Sequence, residues 1–211
     1  MIKSYSICPQ AAGKYISSLY GTKKNIWIGT DEGIYIYAYA TETFTYFDLT
    51  TPNNVRITSI VNHILQDKDG NLWFSTNGQG LFRYNLSKNY LEQYEFTSAF
   101  GIVASTMADS DNQIWALTNQ GESGVYKLNK AENKFEPFGL LYNAGNHHSQ
   151  ALAMLEDSEQ TLWLGTWECG LQKIDKYTRQ TTTYLHPTDG KGVTHIHSLM
   201  EYAPVSYTHL R

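Results

Sequence analysis

Charge is scarce in this 211-residue chain: Asp, Glu, Lys and Arg make up 17% of it, against the quarter usual for soluble domains. The net charge is −4 and no basic block occurs, which argues against nucleic acid and anionic membrane as partners. Cysteine is nearly absent. Cys8 and Cys169 lie in unrelated contexts, so no disulfide framework or thiol metal motif can be read. No run of about 20 apolar residues exists to span a membrane, and the opening MIKSYSICPQ lacks the apolar stretch of a signal peptide. Aromatics, by contrast, reach 14%, with 16 Tyr, and such side chains together with abundant Thr favour strands. The length is ample for a sizeable core.

Four tryptophans organise the chain. NIWIGTDEGIYIY, NLWFSTNGQGLFRY, QIWALTNQGESGVYKL and TLWLGTWECGLQKI place Trp27, Trp73, Trp115 and Trp163 in one local pattern. Their intervals are 46, 42 and 48 residues (73−27, 115−73, 163−115). Thr30, Thr76, Thr118 and Thr166 each follow three residues later. Repeats of this period built from short strands imply the blades of a β-propeller rather than a helical solenoid. The clearest copy, DKDGNLWFSTNGQGLFRY at 67–84, predicts strand, hairpin turn at Asp69-Gly70, strand, loop and strand.

Each unit parses into four strands. Strand a is the apolar run before the turn (16–19, 60–65, 103–107, 152–155), and strand b carries the Trp. Strand c opens at Gly33, Gly80, Gly124 or Gly170, and strand d ends in spaced aromatic or apolar residues. Strand b is almost continuously apolar, as expected of a sheet covered on both faces. The fold class is therefore all-β, a partial β-propeller of four-stranded antiparallel blades over 1–202, with full blades expected at about 14–49, 56–96, 101–139 and 148–186. Residues 1–6 are expected to form strand d of a preceding blade and 193–202 strand a of a following one. The tail 203–211 fits no part of the repeat and is expected to be non-native. Each anchor Trp is expected to be buried between neighbouring blades. The Gly-Thr pairs are read as allowing close approach of strands and giving the Thr hydroxyl a partner between blades.

The pattern Asp67-Gly70-Leu72-Trp73-Thr76-Gly80-Leu81-Tyr84, with Trp163-Leu164-Gly165-Thr166-Gly170-Leu171 and Trp27-Ile28-Gly29-Thr30-Gly33-Ile34, resembles the two-component regulator propeller repeat. Trp115 departs from it, with Ala116-Leu117 and a longer loop before Gly124. The resemblance spans about residues 2–201. It implies a periplasmic sensor segment of a hybrid two-component regulator of Bacteroides type. An oligosaccharide or other small ligand, the remaining blades of a parent propeller and a second parent copy in a homodimer are the implied partners. No cofactor is implied.

Candidate sites fall on the turns. Asp67-Lys68-Asp69-Gly70-Asn71 has its Gly fourth, not sixth, and lacks the Glu of a calcium loop, so it reads as turn chemistry. The anchor tryptophans lie inside apolar strands and read as core, not as sugar platforms. His147-His148 and His195-x-His197 lack the spacing and accompanying carboxylates of a metal or acid–base site, and no catalytic or metal residue is assigned. The b–c and d–a loops emerge on one face of a propeller and vary most between units. Trp167 stands directly after Thr166, where the sister turns carry Asp31, Asn77 and Asn119. It is grouped with Glu168, Tyr142, Asn146, His147, His148 and Arg56 as the expected ligand-binding set. Two alternatives remain: a propeller lyase or hydrolase of the streptogramin-lyase type, which requires convergent His and carboxylate groups, and a protein-interaction scaffold, which requires an exposed apolar patch.

Overall fold

The computed structural model describes residues 15–96, 101–118, 124–139, 150–167, 169–184 and 195–201. Among them, sixteen strands form four separate sheets of four antiparallel strands, each strand pairing with its sequence neighbours. The first blade holds β1 (Ile16–Gly21), β2 (Asn25–Thr30), β3 (Gly33–Ala38) and β4 (Thr43–Tyr46). The second holds β5 (Val61–Gln66), β6 (Leu72–Thr76), β7 (Leu81–Asn85) and β8 (Tyr90–Tyr94). The third holds β9 (Val103–Ala108), β10 (Ile114–Thr118), β11 (Val125–Asn129) and β12 (Lys134–Pro137). The fourth holds β13 (Ala151–Glu156), β14 (Leu162–Thr166), β15 (Leu171–Ile174) and β16 (Thr181–Tyr184). Residues 1–6 and 203–211 lie outside the described residues. Residues 195–201 belong to none of the four sheets.

The chain divides into two compact units, Met1–Gly139 and Leu140–Arg211. In the first, strand a of each blade neighbours strand a of the next, β1 beside β5 and β5 beside β9. Every a–b pairing carries an irregularity near the start of strand a, at Ser17, Asn62, Ala104 and Leu152. Such a bulge turns a side chain out of the alternating pattern. Two of these side chains bridge blades: Ser17 Oγ donates to Val61 O at 2.8 Å and Asn62 Nδ2 to Val103 O at 2.9 Å. The polar residues of the inner strands thus supply the sheet-to-sheet hydrogen bonds that strand pairing leaves out.

The apolar faces meet in two clusters within this unit. Trp27, Ile34, Val61, Ile64, Phe74 and Phe82 pack between the first and second blades. Trp73, Leu81, Val103, Ile114, Tyr126 and Phe135 pack between the second and third. Trp73 is 1% exposed and lies 5.6 Å from Tyr94 and 6.1 Å, edge-on, from Phe135. Arg83 covers the Trp73 and Tyr94 rings, both at 5.6 Å, while paired with Glu92 at 2.5 Å. Burial, with the Glu92 carboxylate beside it, pushes the Tyr94 hydroxyl well above the ordinary phenol range. Trp163 differs from the expectation. It is only half-buried and borders a cavity of about 300 Å³ lined by Leu155, Leu171, Leu199 and Met200.

An Asp–Trp hydrogen bond ties turn to core. Asp67, Asp109 and Asp157 each accept the indole N–H of the Trp six residues on, at 2.8, 3.0 and 2.6 Å. The other carboxylate oxygen takes the backbone N–H four residues on, at 2.8 Å in all three turns. Burial alone would raise the Asp157 carboxyl. The Trp163, Thr161 and Glu159 hydrogen bonds and the Lys173 charge outweigh it and hold Asp157 below the usual carboxylate range. In the first blade Gly21 occupies the Asp position, and Thr22 Oγ1 takes the Asn25 N–H at 3.0 Å instead.

His63 on β5 is expected to make the stability of the first unit pH-dependent. Its Nδ1 faces the Thr106 N–H of the next blade at 3.4 Å, and burial lowers its pKa from the ordinary imidazole value. A folded-state pKa below the unfolded one gives stability that is complete above about pH 6.5 and declines as pH falls toward the folded value. Urea unfolding midpoints are therefore expected to drop between about pH 7.5 and about pH 5.5, and His63→Gln should flatten that drop. An equal decline in both proteins would assign it to other groups.

Candidate loop-face binding site

The b–c turns share one construction. Thr30, Thr76 and Thr166 donate their side-chain hydroxyls to the carbonyls of Gly33, Gly80 and Gly170 at 2.9, 2.7 and 2.9 Å. The Thr hydroxyl therefore closes its own turn, which corrects the expectation of a partner between blades. The backbone N–H groups of Thr76, Thr118 and Thr166 bond the carbonyls of Gly80, Gly124 and Gly170 as well, at 3.0, 2.8 and 3.1 Å. All four glycines have positive φ, from 62° at Gly124 to 103° at Gly33, a conformation that L side chains adopt at a cost. The preceding Gly-Thr glycine allows close approach, as expected. A Cβ at Gly29 would lie 2.9 Å from Val61 O, and one at Gly165 2.7 Å from Ile196 O.

This scaffold presents the residue after the Thr at a constant place. Its backbone N–H returns to the carbonyl just before strand a of its own blade: Asp31 to Tyr15 at 3.2 Å, Asn77 to Ile60 at 2.9 Å and Trp167 to Gln150 at 3.0 Å. Asn77 also bridges Ile102, which precedes the next blade's strand a. In the second unit Trp167 occupies that register, beside His195. Ile196 N–H bonds Thr166 O at 3.0 Å, so residues 195–197 run past the turn.

Trp167 is 40% exposed. The His195 ring stands edge-on to it with centroids 4.2 Å apart, and His197 likewise at 5.6 Å. The two imidazoles are nearly parallel, 21° between planes, with centroids 6.5 Å apart, and both are exposed. A flat hydrophobic ring is thus flanked by two groups that can donate and accept hydrogen bonds. Sequence reasoning considered the His195-x-His197 pair only as a metal or acid–base site. The missed signal was register: His195 stands to Trp167 as Ile102 stands to Asn77.

The remaining expected residues fall differently. Glu168, Tyr142, Asn146, His147 and His148 lie outside the described residues. Arg56 belongs to the first unit, where it pairs with Asp48 at 2.7 Å and its carbonyl accepts the Gln79 side-chain amide at 2.9 Å. Gln79, not singled out from the sequence, clamps that d–a loop by also accepting the Thr58 and Ser59 N–H groups at 2.8 and 2.9 Å. Among the described residues no group of three or more His, Cys, Asp or Glu is arranged to hold a metal. A second cavity of about 360 Å³, lined by Gln160, Lys173, Asp175 and Tyr177 among others, lies at the opposite, a–b and c–d, end of the fourth blade.

Residues 54–78 match the family model of the two component regulator propeller, so the chain carries a repeat of that family in its second blade. No curated protein matches. Among solved structures, the chain is 22% identical to an extracellular domain assigned to the one component system BT4673 of B. thetaiotaomicron, with a TM-score of 0.67 over 85% of this chain and 23% of that one. It is 20% identical to the extracellular domain assigned to the hybrid two component system BT3049 of the same organism, with a TM-score of 0.66 over 84% and 25%. A Staphylococcus aureus virginiamycin B lyase is 18% identical, with a TM-score of 0.64 over 84% and 57%. The chain thus spans about a quarter of the length of the two B. thetaiotaomicron domains. At these identities the likeness establishes the propeller fold.

Proposed function

We propose that this chain is a ligand-sensing propeller segment from the extracytoplasmic part of a hybrid two-component regulator, that its ligand is an oligosaccharide, and that it performs no chemistry itself. The regulator-propeller repeat at 54–78 and the likeness to bacterial extracellular sensor domains support the sensor reading. The observation that carries the ligand reading is Trp167. A large ring stands 40% exposed at a turn position that elsewhere holds Asp or Asn, and the part that His195 and His197 leave open is surface on which a ligand can stack. An aromatic platform flanked by planar hydrogen-bonding groups is what a sugar ring requires. In this reading further blades adjoin the segment, two sensors pair, and the ligand shifts the population of pairings toward the signalling one.

Calorimetric titration with a panel of oligosaccharides tests this. Trp167→Ala should weaken binding by about thirtyfold, the effect of losing an aromatic anchor. Trp115→Phe, a change to a fully buried ring, should leave affinity within about twofold as long as the fold is kept. Unchanged affinity in folded Trp167→Ala would return the turn to plain solvated surface.

A further inference from the structure

The fourth blade repeats the packing face of the second. In register, Leu155, Trp163, Leu171, Lys173 and Tyr184 stand where Leu65, Trp73, Leu81, Arg83 and Tyr94 stand. Each Trp lies 5.6 Å from its Tyr, and each ring carries a cation, Arg83 at 5.6 Å and Lys173 at 6.0 Å. The cover differs. Over Trp73 lies the third blade, whose Val103, Ala116, Tyr126 and Phe135 bury Trp73 and Leu81 and leave Tyr94 6% exposed. In the fourth blade Trp163 and Leu171 are half-buried, Tyr184 is 44% exposed, and the cavity of about 300 Å³ lies against the indole.

One strand of cover is in place. Ile196 stands at Gly165 as Val61 stands at Gly29, each carbonyl lying within 2.9 Å of where a Cβ on the glycine would be. Counting on from there, Leu199 takes the place of Ile64 and Glu201 that of Gln66, and Leu199 lines the cavity. Glu201 accepts the Ser158 N–H at 2.9 Å, fastening the segment at the a–b turn as Asn112 fastens Lys68 at 3.0 Å. Residues 195–201 thus hold the position of strand a of a next blade. The cavity stands where strands b and c of that blade would come. In the first unit those strands bring Phe74 and Tyr84 to 5.8 Å from Trp27.

We infer that the Trp163 face is a seat for strands b to d of the blade that continues the parent propeller, with apolar side chains of its strands b and c filling the cavity. This rests on the part of the sensor reading in which further blades adjoin the segment, and it locates that contact. The filled strand-a position selects the occupant. The first blade of a second copy brings its own β1 into the room that residues 195–201 already take, so it cannot seat in register. A small apolar molecule in the cavity leaves Tyr184 and Lys173 uncovered. A blade covers them all, and the apolar area it removes from water drives the contact. Its polar fringe fits as well. The Tyr94 hydroxyl donates to Asn133 Oδ1 of its covering blade at 2.8 Å, and Tyr184 carries the register-equivalent hydroxyl.

Inserting a second copy of residues 109–138 between Glu201 and Tyr202 supplies such an occupant in register, because Ala108 and Glu201 are equivalent positions. Amide hydrogen exchange over 162–184 should then slow by about tenfold or more, since covered strands open only with a larger unit. A second insert, residues 67–96, covers Trp27 in its own place and should act likewise. Aspartates on the seat-facing side of the inserted copy should abolish the protection, Ala116→Asp with Tyr126→Asp in one insert and Phe74→Asp with Tyr84→Asp in the other. Exchange over 162–184 that neither insert slows would overturn the seat, while oligosaccharide binding by the intact chain would still leave the sensing reading standing. Protection by the inserts in a chain that binds no oligosaccharide would support the seat and count against sensing. Slow exchange in the intact chain that is lost on dilution, with a dimer in sedimentation equilibrium, would give the face to a second copy and overturn the proposal.

Discussion

Trp73→Ala is expected to destabilise the first unit by about 3–5 kcal/mol, the range for removing a fully buried large aromatic. The indole is 1% exposed, between the second and third blades, with Tyr94 and Phe135 as ring neighbours. Its removal leaves a cavity among rings held in place by their own strands, so collapse can relieve only part of the loss. It also strips Arg83 of one of the two faces it covers. Urea denaturation followed by far-UV circular dichroism, which does not depend on the deleted fluorophore, should show a clearly lower midpoint. A loss below about 1.5 kcal/mol would mean that Trp73 does not anchor the packing between these blades.

The second large effect is expected at Asp67. Its carboxylate takes the Trp73 indole at 2.8 Å and the Asn71 backbone N–H at 2.8 Å, and it is 7% exposed. Asp67→Ala leaves these two donors, and the Asn71 side-chain amide that also bonds the carboxylate at 2.9 Å, without that acceptor, at an expected cost of about 3 kcal/mol, since a buried donor that loses its partner keeps its desolvation penalty. Asp67→Asn keeps one neutral acceptor and should cost about half as much. In a Trp73→Phe background the indole donor is already gone, so Asp67→Ala should be milder there by about 1–2 kcal/mol. A coupling near zero would show that the indole hydrogen bond contributes nothing and that Asp67 serves the turn alone.

The repeat was legible because it is local. Trp and Thr three residues apart, with a Gly six to nine residues after the Trp, encode strand, turn and strand within about twenty residues. Ile16, Val61, Val103 and Ala151 all open or lie beside the predicted a strands. The turn at 67–71 was also readable, with Gly70 at φ 83° and Asn112 and Gln160 repeating the left-handed conformation at 57° and 62°. What the turn's Asp does beyond the turn was not readable. A carboxylate six residues before a Trp reaches the indole only because the a–b hairpin folds β5 back beside β6.

The Thr hydroxyls show the same division. Their recurrence marked them as structural, but whether a hydroxyl bonds within its turn or across blades depends on the rotamer that the closed loop permits. The site divides in the same way. The sequence by itself singled out Trp167 as the large ring in a position that otherwise holds Asp or Asn. It could not pair that ring with His195 and His197, which lie 28 and 30 residues further on (195−167, 197−167). That juxtaposition exists because Gly165 has no Cβ to hold off the Ile196 backbone. Local periodicity determined the strands and turns, while contacts made by closely approaching backbones decided which side chains share a surface.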